Sequence, residues 1–220
     1  MRFIIVLATA VCLVSCSSKT TTPSNQPPGA GSIVAKPSAS GLLTATTFTF
    51  TPSGFTDPES DTLTFTWDFG DGSAAGSGAS VQHAYASANT FVVKVSVSDG
   101  HNTPVTAQLN VTARTLTGTW QGSLTCVAGG CVASPRTITL NLTQTGSTVT
   151  GTCNDSHVGV TFAAITVQTF AIDPATGKFT FTGGCGSGNV LFGSSYDPSA
   201  DQFAVANWDS PALGGPLTRH

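Results

Sequence analysis

Three groups of residues have types and spacing that could do chemistry. The first is "NDSH", residues 154–157, which sets Asp155, Ser156 and His157 side by side. Nucleophilic catalysis needs a base held against the nucleophile and a third group that orients the base. Neighbours on a strand or turn point in different directions, so this run does not make a triad. His101 falls in a turn and His220 stands last in the sequence. No Gly-x-Ser-x-Gly, P-loop or dinucleotide fingerprint occurs. The glycine-rich "GGCGSG", residues 183–188, lies between two strand patterns rather than before a helix, and reads as a loop. The expectation is a chain with no catalytic residue, not an enzyme. An enzymatic reading would need a partner chain to carry the reaction.

The second group is acidic. "DPESD", residues 57–61, gathers Asp57, Glu59 and Asp61 in one loop of a chain with only 11 carboxylates. Hard oxygen ligands in a loop suit calcium, the one cofactor these residues suggest. A solvated turn is the plainer reading and the preferred one.

The third group is cysteine. Of six, Cys12 and Cys16 lie at the start, and Cys126, Cys131, Cys153 and Cys185 lie in the second half. Four cysteines allow three pairings, and an exported chain favours disulfides. The preferred pairing closes "CVAGGC" with Cys126–Cys131 and ties distant segments with Cys153–Cys185. In the chain-entropy model the two bridges contribute about 2 and about 3.5–4 kcal/mol. A Cys₄ zinc site is the alternative, disfavoured by the long second spacing and an oxidising compartment.

Export itself is read from "MRFIIVLATAVCLVSC". Arg2 is a minimal positive start, and residues 3–14 form an apolar run too short to span a bilayer. The ending "LVSC" resembles the lipobox of bacterial lipoproteins. The resemblance implies a signal peptide over residues 1–16, with Cys16 acylated (palmitate among the chains) as the mature N-terminus. Ser17 after Cys16 fits outer-membrane or cell-surface sorting, as enteric bacteria sort such proteins. Each buried methylene contributes about 0.8 kcal/mol, so several acyl chains make a durable membrane anchor. Residues 17–36, rich in Ser, Thr, Pro and Gly, read as a disordered tether with a reach of about 25 Å.

Beyond the tether the elements are short and alternate apolar with polar. Phe48 and Phe50 share a face, as do Leu63, Phe65, Trp67 and Phe69. The same holds for Phe91, Val93, Val95 and Val97, and for Val105, Ala107, Leu109 and Val111. Period two marks half-buried strands, and no long segment has helical period. Only 9% of residues are charged, with a net charge of −3 and no basic cluster, which excludes a nucleic-acid partner.

In "WDFGDGS" Trp67 and Phe69 point inward and Asp68 outward, and Gly70-Asp71-Gly72 makes a tight turn. Together with His83, Tyr85 and "TFVVKVSVSDG", this run resembles the PKD domain over about residues 33–113. The resemblance implies an immunoglobulin-like β-sandwich that acts as a spacer or contacts protein or carbohydrate, with its signature residues serving the fold. His83 would pack beside Tyr85. "ASANTF" departs from the family's usual Pro-Gly turn, and Asn89 is expected to take the left-handed conformation there.

Residues 114–220 read as a second all-β unit, an antiparallel barrel or meander of seven or eight strands between about 116 and 208. Ile138, Leu140 and Leu142 line one face, and Val149 continues on the return. Asp-Pro opens two hairpin turns, at 173 and 197. Gly118-Thr119-Trp120 loosely resembles the opening of lipocalin-like barrels, which implies a pocket for a small apolar ligand lined by Phe162, Phe170, Phe179 and Phe192. The domain scheme is thus 1–16, 17–36, 37–113 and 114–220. The leading function is a surface-displayed lipoprotein that contacts glycans or envelope proteins. Exposed Trp120, Trp208 and Tyr196 would be its stacking platforms, with core packing the favoured role of each Trp.

Overall fold

The computed structural model describes residues 24–38, 40–42, 46–126, 135–146, 148–155, 160–166, 169–173, 175–184, 191–208 and 213–220. Cys16, the signal peptide, Cys131 and Cys185 lie outside the described residues. All the regular elements described are strands, as the period-two patterns require.

Two sheets face each other in the first body. One has the order β1 (Ser32–Lys36), β3 (Phe48–Ser53), β6 (Val81–His83). The other has the order β2 (Ser40–Leu42), β8 (Val105–Arg114), β7 (Asn89–Ser98), β4 (Thr64–Asp68), β5 (Gly76–Ser77). All pairings are antiparallel except β2 with β8. Alternation works as expected: Phe91, Val93, Val95 and Val97 are all buried, and Val92 between them is exposed. The sheets close over Phe48, Phe50, Trp67, Phe69, Tyr85 and Val111. The rings interlock, with Phe48 stacked on Phe50 at 6.0 Å and Tyr85 on Phe91 at 4.2 Å. Each such aromatic pair adds about 0.5–1.5 kcal/mol to the burial itself.

The expected tether needs correcting here. Residues 32–36 are strand β1, paired to β3 from Ser32↔Ser53 to Lys36↔Thr49. Ile33 is buried in the core, so its apolar side chain ties down a segment whose composition alone reads as linker. Further out, Gly29 N donates to Thr56 O at 2.7 Å. The expected boundary at residue 37 therefore cuts a strand from its sheet.

The second body is one sheet of nine strands. They are β9 (Gly118–Cys126), β10 (Arg136–Thr145), β11 (Thr148–Asp155), β12 (Val160–Thr166), β13 (Thr169–Ile172), β14 (Phe179–Gly184), β15 (Leu191–Asp197), β16 (Gln202–Trp208) and β17 (Leu213–Arg219). Their order is β12-β11-β10-β9-β17-β16-β15-β14-β13. Every strand except β12 pairs with the one that follows it, and β17 returns to pair with β9, so the chain runs a circuit. The two edges, β12 and β13, are consecutive in sequence. Eight antiparallel steps separate them, so they run the same way. β12 also lies against β14. The sheet therefore curls on itself as an eight-stranded up-and-down circuit, with Val160–Thr166 and Thr169–Ile172 supplying one strand in two pieces. Strand β17 lies beyond residue 208, where the pattern was expected to end. Pro216 and two glycines break its alternation, yet its register holds Leu217 opposite Phe203.

Inside the curl are Trp120, Leu124, Ile138, Leu140, Leu142, Val149, Cys153, Tyr196, Phe203 and Leu217. Trp120 meets Phe203 edge-on at 4.6 Å and Tyr196 at 5.7 Å. Leu42, from β2 of the first body, joins this second cluster and is 1% exposed.

Candidate functional site

The "WDFGDGS" run is built from the strand outward. Trp67 is wholly buried, and its Nε1 donates to Gly78 O at 2.9 Å. Asp68 Oδ1 accepts from Gly70 N at 2.9 Å, and Asp71 Oδ1 accepts from Ser73 N at 3.1 Å. Gly70 has φ +78° and lies so close to β7 that an added Cβ would stand 2.6 Å from Val92 O. Only glycine fits there, because both the dihedral and the space forbid a side chain.

His83 does pack beside Tyr85, edge-on at 4.7 Å, and also stacks on Phe69 at 4.1 Å. Its Nε2 lies 2.7 Å from Asp71 Oδ2, a pair the sequence reading missed. Burial pushes the Asp71 carboxyl up, but the Ser73 and His83 hydrogen bonds outweigh it and leave Asp71 below the ordinary carboxylate value. Tyr85 OH donates to Phe69 O at 3.1 Å, and burial pushes its phenol well above the usual range. Asn89 is not left-handed. It opens β7, and its Oδ1 accepts from Thr90 N at 2.8 Å.

The acidic loop does not assemble as a calcium site. Asp57 Oδ1 accepts from Glu59 N at 3.0 Å and Asp61 N at 2.9 Å, an Asx-type turn. Glu59 is bonded to Gln26 through both backbone and side chain, and Asp61 faces His101 at 3.5 Å. The three carboxylates thus turn to different partners. Among the described residues no three His, Cys, Asp or Glu could hold a metal ion together. Asp99 is a separate turn-maker. Asn102 donates to it through both side chain and amide, and the His101 amide adds a third bond. These bonds, the Asn102 side chain first, hold its carboxyl well below the ordinary value.

A third polar cluster joins the two bodies. Arg114, at the end of β8, donates through Nε to Pro198 O at 2.6 Å and places Nη1 3.2 Å from Asp201 Oδ2. Arg219, on β17, reaches the same carboxylate with Nε at 3.2 Å. Its Nη1 and Nη2 donate to Thr117 O and Thr115 O, each at 2.6 Å. The guanidinium lies 4.3 Å from the Trp120 ring, a cation–π contact. Tyr196 OH donates to Asp201 Oδ1 at 2.6 Å. Burial alone would raise the Asp201 carboxyl, but Arg219, Tyr196 and Arg114 together hold it below its ordinary value. Asp201 sits at φ +50°, a conformation few non-glycine residues keep without such support.

Trp120 and Tyr196 are wholly buried, so neither is the exposed stacking platform considered for them. The Trp120 Nε1 donates to Leu116 O at 2.9 Å, which completes a core role. Trp208 lies on β16, its side chain outside the described residues. Cys126 ends β9, and Cys153 is buried on β11. Asp155 ends β11, while Ser156 and His157 lie outside the described residues.

The family comparison matches residues 30–113 of this chain to the PKD domain. The first body is a PKD domain. Among solved structures, the PKD domain of an M14-like peptidase from Thermoplasmatales archaeon SCGC AB-540-F20 is similar, with 25% sequence identity. That match covers 41% of this chain and 98% of the archaeal one, with a TM-score of 0.35. No curated protein matches. PKD modules are typically extracellular or surface-exposed and generally non-catalytic. The PKD residues read from the sequence, Trp67 to Gly72 with His83, Tyr85 and Asp99, are the ones that bond to one another or to nearby turns.

Proposed function

We propose that the chain is a non-enzymatic, exported cell-envelope protein, lipid-anchored through Cys16, whose β bodies hold or contact extracellular glycans or envelope proteins. The observation that carries this reading is how the polar PKD residues are used. Asp68, Asp71, His83, Tyr85 and Asp99 direct their hydrogen bonds to neighbouring turns and to one another. Such a set stiffens a spacer and leaves no activated nucleophile beside a free base.

Three measurements test it. In bacteria fed labelled palmitate, the full chain is expected to take up label and sediment with membranes, and Cys16→Ala to do neither. Label retained by Cys16→Ala overturns the anchor. Full chain immobilised and washed with envelope extract is expected to retain glycan or envelope protein equally with and without EDTA. Retention of nothing leaves only the spacer role. The same proposal includes Cys126–Cys131 and Cys153–Cys185 bridges. Cys126 and Cys153 are each engaged in a disulfide, which supports bridging without naming the partners, and non-reducing peptide mapping decides the connectivity.

A second reading draws on the β17–β9 closure. Eight-stranded curls either fill with side chains or hold one small ligand. Trp120, Tyr196 and Phe203 are buried inside the curl. This reading assigns an apolar ligand to Phe162, Phe170, Phe179 and Phe192, whose side chains lie outside the described residues. Quenching of tryptophan fluorescence by a titrated fatty acid would support it, and an unchanged spectrum would remove it.

A further inference from the structure

Where the two bodies meet, an open groove of about 410 Å³ is lined by Asn89, Thr90, Thr112, Arg114, Asp201 and Arg219, among others. We infer that this groove binds a carboxylated sugar, with Arg114 taking the carboxylate and the amide and hydroxyl groups taking the ring hydroxyls. The inference rests on the glycan-contact reading and gives it a place and a chemical class.

Charge is the first argument. Two guanidiniums face one carboxylate, so the groove keeps a net positive charge in a chain whose net charge is −3. Arg219 is fully engaged by Asp201, Thr115 O and Thr117 O. Arg114 is not. Its Nε and Nη1 hold Pro198 O and Asp201, while Nη2 has no partner among the described residues. A guanidinium already fixed in plane by two partners loses little freedom when it takes a third.

The lining chooses between a bare anion and a sugar acid. A bare anion uses donors only, whereas sugar hydroxyls both donate and accept. Asn89 Oδ1 is engaged by Thr90 N, which leaves its Nδ2 donors available. The Thr90 and Thr112 hydroxyls, both of residues that line the groove, lie 3.0 Å apart and can each give or take one more bond. The volume falls within the range of small-molecule sites, about 300–1,000 Å³. No aromatic side chain lines the groove, so recognition is polar and weakens with salt.

The test uses the full chain, methyl galacturonoside, its methyl ester and inorganic sulfate, with binding read by calorimetry at low salt. The acid is expected to bind about tenfold more tightly than the ester, as one charge-assisted hydrogen bond allows. Asn89→Asp keeps the acceptor for Thr90 N and adds a negative charge at the lip without touching the core. It is expected to weaken the acid about tenfold and the ester by less, because the ester loses only the hydroxyl bonds of the Asn89 amide while the acid also meets the added charge. Arg114→Gln should remove the preference for acid over ester. Equal binding of acid and ester, sulfate binding as tightly as the acid, or no effect of Asn89→Asp overturns the inference. Envelope glycan retained equally by wild type and Asn89→Asp also overturns it and leaves the wider glycan reading standing. No retention by wild type overturns both.

Discussion

Each body buries one tryptophan completely, and the two are supported in different ways. Trp67 donates to Gly78 O across a turn 11 residues away, and aspartates wire the surrounding loops to amides two or three residues on. Trp120 donates to Leu116 O, but its ring is capped by Arg219, which is bonded to carbonyls more than 100 residues back. The sandwich is tied by short-range turn chemistry. In the curled sheet, Arg219 on β17 adds a long-range tie to the segment that leads into β9, beside the backbone pairing of the two strands. Local ties survive the loss of one partner better than a single long-range clasp does.

Truncating the two tryptophans is the largest way to probe that contrast. Trp67→Ala and Trp120→Ala should each cost about 3–5 kcal/mol in denaturant unfolding. Trp120→Ala should cost more, because it also strips the Arg219 guanidinium of its ring. Equal losses would show that the cation–π contact contributes nothing measurable.

Next in size is Gly70→Ala. A positive φ and a Cβ 2.6 Å from Val92 O together should cost about 2–3 kcal/mol. Gly72 has φ +79° but open space around it, so Gly72→Ala should cost only about 1 kcal/mol. The difference between the two isolates close approach from backbone strain. Similar losses at both would mean that β7 shifts to admit the methyl.

How much of this was legible in sequence follows the same divide. The PKD sandwich was readable because its determinants are local: alternation, glycine at left-handed positions, and aspartates that bond two residues ahead. The role of Asp99 in "VSDG" needs only three residues to be seen. The β1 strand was missed because five residues after a Pro/Gly-rich stretch show little alternation. Only pairing to Phe48–Ser53 reveals it. The junction was invisible for a stronger reason. Arg114, Asp201 and Arg219 are far apart in sequence, and a lone arginine at a strand end carries no pattern. Calcium was suggested by composition in "DPESD", but the turn that gathers three acids in sequence points them at three different partners.

Asp201→Asn sharpens the comparison at the junction. It keeps the shape but removes the charge that both Arg114 and Arg219 face, and it leaves φ +50° less well supported. The pairs are partly exposed and screened, so the expected loss is about 1–2 kcal/mol. It should fall on the second body and the junction, with the sandwich amides keeping their hydrogen-exchange protection. Protection lost in both bodies alike would mean that the two unfold as one unit.

Acid is the mildest probe, and its sign can be worked out. Asp71, Asp99 and Asp201 all have carboxyls held below their ordinary value in the folded chain. The unfolded chain therefore takes up protons first as pH falls. The stability these groups contribute is fully present above an unfolded carboxylate value of about 3.9, and it drains away as pH drops through the folded values. Unfolding midpoints should be flat from neutral to about pH 5 and decline below it. In Asp99→Asn the sandwich's decline should be shallower, because the most strongly depressed of the three is gone, with the second body unaffected. In Asp201→Asn the reverse holds. An acid slope unchanged in both variants would assign the pH response to carboxylates other than these turns and this clasp.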